Sequence, residues 1–282
     1  MKLKNKNVLI TGAGRGIGEA IAAAFAKEGA NLSLSARTMS ELENVRKKIL
    51  EQGAKCIISQ CDVSKKEEVK SWIDNSCKSF GGIDVLVNNA GIYGPIGLLA
   101  DNDPDEWIKT IHVNLIGTVI CIKAVLPHMM KQKSGVIINL SGGGAVSPFP
   151  RFSAYSTSKA AVVRLTETVA EEVKEFNIRI NAISPGAVNT RILDEALKAG
   201  EACGREFYEK CKKQKETGGT PPELASELAV FLASDESKGL NGKIISAVWD
   251  DWKNIPSRIK TLNGSALYTL RRIDDRNFKE IK

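Results

Sequence analysis

Short apolar runs alternate with segments of helical spacing along almost the whole chain, and nothing else restricts its folding as much. The runs are "NVLIT" (7–11), "NLSLSAR" (31–37), "KCIISQCDV" (55–63), "IDVLVNNAG" (83–91), "GVIINLS" (135–141), "IRINAISPG" (178–186) and "GKIISAV" (242–248). Between them lie "EAIAAAFAKEG" and "SELENVRKKILEQG", each closed by a glycine (Gly29, Gly53) where a helix C-cap is expected. "KKEEVKSWIDNSCKSFG" follows, then helical regions over Asp105 to Lys131 and Ser153 to Phe176, and last "PPELASELAVFLAS", with proline in its first turn. This order makes βαβ units. Their crossovers are right-handed, so the strands lie parallel and the helices cover both faces. The expectation is an α/β chain: a doubly wound, seven-stranded parallel sheet in three layers, α/β/α. Ligands of such sheets bind beyond the carboxyl ends of the strands. The alternation stops near residue 250, so 1–249 are expected to form one domain and 250–282 a C-terminal extension.

"TGAGRGIGEA" (Thr11 to Ala20) joins the first strand to the first helix. Glycines there allow a tight turn and a close approach of backbone to a pyrophosphate, while the N–H groups of the helix start face the anion. The spacing is Gly12-x-x-x-Gly16-x-Gly18, with Ile17 where a GxGxxG pattern has its third glycine. Between a strand and a helix, such a loop points to a dinucleotide. The second strand ends near the adenosine ribose, where an acid would select NAD and an arginine would accommodate the 2′-phosphate of NADP. That strand ends "SLSART", with Arg37 in place and no acid beside it; Arg15 in the loop can close on the same phosphate. NADP(H) is therefore the expected cofactor.

The 282 residues carry a formal charge of +7, but Lys and Arg are scattered among Asp and Glu and not interleaved with aromatic residues, so no nucleic-acid partner is expected. Solvated faces and an anionic small ligand account for the excess. No apolar run is read as long enough to span a bilayer, and the polar start passes straight into the first strand without a signal peptide's apolar stretch. The expected location is the cytoplasm, with no membrane partner. Six cysteines without a CxxC pair fit reduced thiols, and two histidines (His112, His128) in one helical region suggest no metal site.

"AYSTSKAA" places Tyr155 and Lys159 four apart near the start of a helix, hence on one face. A nearby ammonium favours the phenolate and lowers the tyrosine pKa, and a phenol so tuned can exchange a proton with a developing alkoxide. Val162, Leu165, Val169 and Val173 form an apolar stripe that would hold this helix rigid.

Taken together, these motifs resemble the short-chain dehydrogenase/reductase family over roughly residues 4 to 248. The resemblance implies a Rossmann-like fold, assembled as a homotetramer or homodimer, and a small-molecule carbonyl or alcohol substrate. It implies a cofactor loop at Gly12, Gly14, Arg15, Gly16, Ile17 and Gly18, followed by Arg37 and Thr38. "CDV" supplies Asp62 and Val63 at the adenine, and "NNAG" supplies Asn89, Ala90 and Gly91 at the end of the central strand. Asn114, in "HVNLIGT", matches the residue that kinks the long helix and holds a water of a proton relay. Tyr155 and Lys159 match the catalytic pair; both border the cofactor, and Lys159 holds the nicotinamide ribose. "SPGAVNT" brings Pro185, Gly186, Val188 and Thr190 to the nicotinamide.

The chain departs from the family pattern twice. The serine that bonds the substrate carbonyl usually stands thirteen residues before the tyrosine; here that place is Gly142, and Ser141 precedes it. Either Ser141 points into the site, or Ser153 or a backbone N–H serves. The seventh strand runs into "WDDWKNIP" instead of a short acidic-glycine motif, and the extension then covers an interface, closes over the pocket or packs on its own subunit. The leading expectation is an NADP(H)-dependent carbonyl reductase or alcohol dehydrogenase, with Asn114, Ser141, Tyr155 and Lys159 as catalytic residues. A non-catalytic NADP-binding sensor or scaffold and a 3-oxoacyl thioester reductase remain alternatives. The segment from Arg191 to Thr220, with Leu193, Leu197, Phe207 and Tyr208 as pocket linings, is expected to set the substrate.

Overall fold

In the computed structural model, which describes residues 1–275, all seven apolar runs are strands: β1 (Asn7–Thr11), β2 (Asn31–Ala36), β3 (Cys56–Gln60), β4 (Val85–Asn88), β5 (Gly135–Leu140), β6 (Ile178–Ser184) and β7 (Ile244–Ser246). They form one parallel sheet in the order β3-β2-β1-β4-β5-β6-β7. The order reverses between β1 and β4. The cleft that opens there, beyond the strand ends, is where such a sheet takes its ligand. Central strands are buried on both sides, which is why "GVIINL" reads as a continuous apolar run and does not alternate.

Helices α1 (Gly16–Lys27), α2 (Met39–Glu51) and α9 (Pro222–Ala233) cover one face, around Ile10, Phe25, Leu34 and Leu228. On the other face, around Leu9, Trp72, Val125 and Ile137, lie α3 (Lys66–Phe80), α5 (Gly117–Gln132) and part of α6 (Ser153–Glu172). Two buried polar bonds tie β4 to β5 and β5 to α6. Asn88 donates to Asn139 Oδ1 (2.9 Å), and Asn139 donates to Thr166 Oγ1 (2.8 Å). The long helical region is one run in three parts: α4 (Pro104–Ile111), a π-helical stretch (His112–Ile116) and α5. This run, Pro104–Gln132, is long and apolar enough to cross a bilayer, which corrects the expectation that no segment is. Its Cys121, Ile122, Val125 and Met129 are buried against the sheet, as in a core helix.

The extension packs on its own chain. Trp252 lies against Phe231 with ring centroids 5.6 Å apart, and Ile255 and Leu262 are buried with them. A short helix, α10 (Ile259–Asn263), leads to Tyr268, whose carbonyl accepts the Ile244 N–H at 2.8 Å. Glu167 of α6 takes the Leu270 N–H and pairs with Arg271 at 3.3 Å. Residues 276–282 of the expected extension lie outside the described residues.

Candidate active site

Thr11, at the end of β1, ties the first loop to the fourth strand. Its Oγ1 accepts the N–H groups of Asn89 (2.9 Å) and Ala90 (3.0 Å), and Asn89 Nδ2 donates back to the carbonyls of Thr11 and Gly12. The glycines follow from this closeness. Gly12 and Gly16 have positive φ (63° and 58°), and a Cβ on Gly18 would lie 2.4 Å from Gly12 O. The first turn of α1 has no side-chain cap, so its N–H groups are available to an anion. A cleft of about 530 Å³ opens in front of it.

Beside the ends of β2 and β3 the cleft is lined by Arg15, Arg37, Thr38, Asp62 and Val63, all of them residues that the sequence singled out. It also holds Glu41, in the first turn of α2, which sequence reasoning missed. Arg15 Nη1 donates to both Glu41 oxygens, at 2.6 and 2.7 Å. Arg15, which the sequence offered as a second group for the phosphate, is thus already paired. Arg37 stays exposed at the rim. Burial opposes ionisation of Asp62, but hydrogen bonds from Ser64 and the charge of Arg37 hold its carboxyl below the usual range.

Tyr155 and Lys159 rise from the first turns of α6 into the same cleft, beside Ser141 and Gly91. Lys159 Nζ donates to Leu140 O at 2.8 Å and stands 5.7 Å from the centre of the Tyr155 ring. Burial pushes the phenol above its usual value and pulls the ammonium down to about 8. The expected acidification of Tyr155 by its neighbour is therefore corrected. The four-residue spacing reveals the charge but not the loss of water around both groups. Ser141 is 3% exposed and its Oγ has no hydrogen-bond partner, whereas Ser153 Oγ accepts from Trp107 Nε1 at 3.1 Å. Of the two side-chain hydroxyls, only that of Ser141 is unengaged in the cleft wall. Gly142 has a different reason to be glycine: a Cβ there would lie 2.2 Å from Tyr155 Oη.

Asn114 lies outside the cleft wall. It is fully buried in the π-helical stretch, where its side chain bonds both the N–H and the carbonyl of Ile92 and donates to Ser158 Oγ, all at 2.9 Å. It fastens the loop after β4 to α6 and so positions Tyr155. Pro185 and Thr190 line the cleft as expected, but Gly186 and Val188 do not. Gly186 backs onto Val248 and Thr220, and Val188 bridges to Gly219. Gly18 is likewise packing, not lining.

The segment after β6 folds as α7 (Arg191–Ala199) and α8 (Arg205–Thr217). Leu193, Leu197, Phe207 and Tyr208 pack with Tyr93, Phe149, Phe152 and Tyr155 in a third apolar cluster, separate from both sheet-face cores. Arg191, Ile192 and Glu195 of α7 border the cleft; they belong to the segment expected to set the substrate but were not among its four named linings. Burial pushes the Glu195 carboxyl up, against the Tyr93 N–H bonded to it and the charges of Arg191, Arg15 and Arg37.

Residues 6–200 match the family model described as short chain dehydrogenase. A 3beta-hydroxysteroid dehydrogenase 1 of Eggerthella lenta is 39% identical over 244 residues, covering 85% of this chain and 91% of that one. A 3-oxoacyl-[acyl-carrier-protein] reductase of Staphylococcus epidermidis is 37% identical over 245 residues, covering 86% and 96%. Among solved structures, NAD+-bound xylitol dehydrogenase superposes with a TM-score of 0.81 at 31% identity, over 87% of this chain and 98% of that chain. Levodione reductase gives 0.80 at 30% identity, over 86% and 96%. With the parallel sheet, the glycine loop and the paired Tyr155 and Lys159, these similarities show that the chain belongs to the short-chain dehydrogenase family of nicotinamide-dependent oxidoreductases acting on CH–OH groups.

Proposed function

We propose that the protein is an NADP(H)-dependent carbonyl reductase, working on a ketone or its secondary alcohol as a cytoplasmic homotetramer or homodimer. One observation carries this reading. The phenol of Tyr155, the amine of Lys159 and the unpartnered hydroxyl of Ser141 meet in a cleft whose other end is a glycine loop with arginines. The donor set suits a dinucleotide: free helix N–H groups for a pyrophosphate, guanidinium groups for a phosphate ester, and Lys159 for a ribose. A nicotinamide bound along this cleft supplies or accepts a hydride. Ser141 Oγ donates to the substrate carbonyl and holds it. Tyr155 Oη, which keeps its proton at neutral pH, gives it to the carbonyl oxygen as negative charge builds there, so ketone, hydride and proton yield the alcohol. In the reverse direction the phenol must first lose that proton.

The preference for NADP(H) is supported by Arg37 at the end of β2 and by Arg15 once Glu41 releases it; the NAD+ in xylitol dehydrogenase stands on the other side of the balance. Similarity to the Staphylococcus reductase favours a second reading, a 3-oxoacyl thioester as substrate. Tyr155→Phe tests the chemistry. It should lower kcat on ketones by at least about 10²-fold and leave cofactor affinity, read by fluorescence titration, within a factor of about three. Unchanged turnover would remove the phenol from the reaction.

A further inference from the structure

Among the described residues four cations line the cleft, and three of them are already placed. Arg15 is held by both oxygens of Glu41. Arg37 stands at the rim, just past the end of β2. Lys159 donates to Leu140 O, next to Tyr155. The fourth is Arg191, the exposed first residue of α7. A close approach of two helices puts it there. Gly16 opens α1 with positive φ, and a Cβ on it would lie 3.1 Å from Thr190 Cγ2. Thr190 is the N-cap of α7, so the starts of α1 and α7 meet, with Arg191 next in the chain. Thr190 makes no side-chain cap, which leaves the first N–H groups of α7 available beside those of α1. The acids nearest Arg191 on its own helix are engaged elsewhere. Asp194 pairs with Lys215 at 2.7 Å, and Glu195, one turn on, takes the Tyr93 N–H and feels Arg191 only through its charge.

We propose that Arg191 binds the pyrophosphate of the cofactor, so that the diphosphate is gripped from α7 as well as from α1. The glycine loop supplies N–H groups, but its own arginine is neutralised by Glu41, and a diphosphate is doubly negative. A guanidinium answers that charge and can meet a phosphate with two parallel N–H bonds. The assignment holds for NAD(H) and NADP(H) alike, because both carry the diphosphate. It is separate from the part proposed for Arg37 at the ribose phosphate. It also gives α7 a hold on the cofactor, through a helix whose Leu193 and Ala196 are buried in the cluster that contains Tyr155.

The test is binding, not turnover, on the full chain. Dissociation constants are measured by calorimetry for ADP-ribose and its 2′-phosphate, which lack the nicotinamide, and by fluorescence titration for NADH and NADPH. Arg191→Gln should weaken all four by the same factor, about five- to twentyfold, because each loses one charge-assisted contact to the diphosphate. Arg191→Lys keeps the charge without the fork; it should stay within about threefold of wild type, and it controls for misfolding. An unchanged affinity for ADP-ribose in Arg191→Gln would overturn the assignment. So would a loss confined to the two 2′-phosphorylated ligands, which would move Arg191 to the ribose. A lysine variant no better than the glutamine one would show that the charge is not what binds, and would overturn it as well. Wild-type protein that takes up none of the four would remove the dinucleotide from the cleft, and Arg191's part with it.

Discussion

Gly142 occupies the position at which the family carries its carbonyl-binding serine, so Gly142→Ser looks like a repair. The structure predicts the opposite. The new Cβ would stand 2.2 Å from Tyr155 Oη, 3.0 Å from Cζ and 3.3 Å from Cε1. Atoms of this size rest about 3.5 Å apart, so the phenol must retreat by roughly 1 Å. It has nowhere easy to go: the ring is 7% exposed and Tyr93 blocks it edge-on at 4.7 Å. Overpacking of this kind costs about 1–3 kcal/mol of stability, and a displacement of about 1 Å in a reacting group costs about 10²-fold in rate. Gly142→Ala carries the same Cβ without the hydroxyl and separates crowding from chemistry. We expect both variants to lose about 10²-fold in kcat/KM, measured by cofactor oxidation with a saturating ketone series, and about 1–3 kcal/mol in urea unfolding. A Gly142→Ser enzyme as active as wild type would refute the reasoning, because the phenol of the working enzyme would then not lie in the space that glycine leaves.

Three further outcomes follow from the same geometry. Ser141→Ala removes a buried hydroxyl with no partner, so unfolding free energy should hold within about 0.5 kcal/mol while kcat falls about 10- to 100-fold; a large loss of stability would show that the hydroxyl is structural. Glu41→Gln frees Arg15, so NADPH should bind about three to ten times more tightly relative to NADH, by fluorescence titration; an unchanged ratio would take Arg15 out of cofactor choice. Lys159 gives up its proton near pH 8 when folded, against 10.5 as the ordinary value. Between those values the unfolded chain holds more protons, so this group makes stability rise with pH. The wild-type-minus-Lys159→Met difference in unfolding free energy should climb from pH 8 to 10, and a flat difference would contradict the depressed value.

Strand positions were readable because β4, β5 and most of β6 are buried on both faces and so run apolar with few interruptions, and because glycines close the intervening helices. The glycine loop and the Tyr155–Lys159 pair were readable because each is local, its chemistry fixed by spacing of a few residues. What escaped is what depends on distant segments meeting. Glu41 is 26 residues from Arg15, and only its place in the first turn after Arg37 and Thr38 could have hinted at it. The raised phenol and lowered ammonium reflect water excluded by α7, α8 and the loop after β4, all distant from α6 in sequence, together with the loop that leads into α6. Asn114 was singled out within the long helical region, yet its engagement with Ile92 and Ser158 needs three elements at once. Gly186 and Val188 were carried over from a motif and turned out to brace the segment that leads to α7.

The tail beyond β7 changes what that flank of the sheet can do. Strand β7 turns two N–H groups away from β6, on Ile244 and Ser246. The first is taken by the Tyr268 carbonyl and the second by the Asp250 carboxylate at 2.7 Å. Lys243 adds two bonds to the same tail, at 2.9 and 3.1 Å. A second molecule arriving edge to edge would find the donors it needs already engaged, so the sheet cannot lengthen into a ribbon on this side unless the tail is first peeled away.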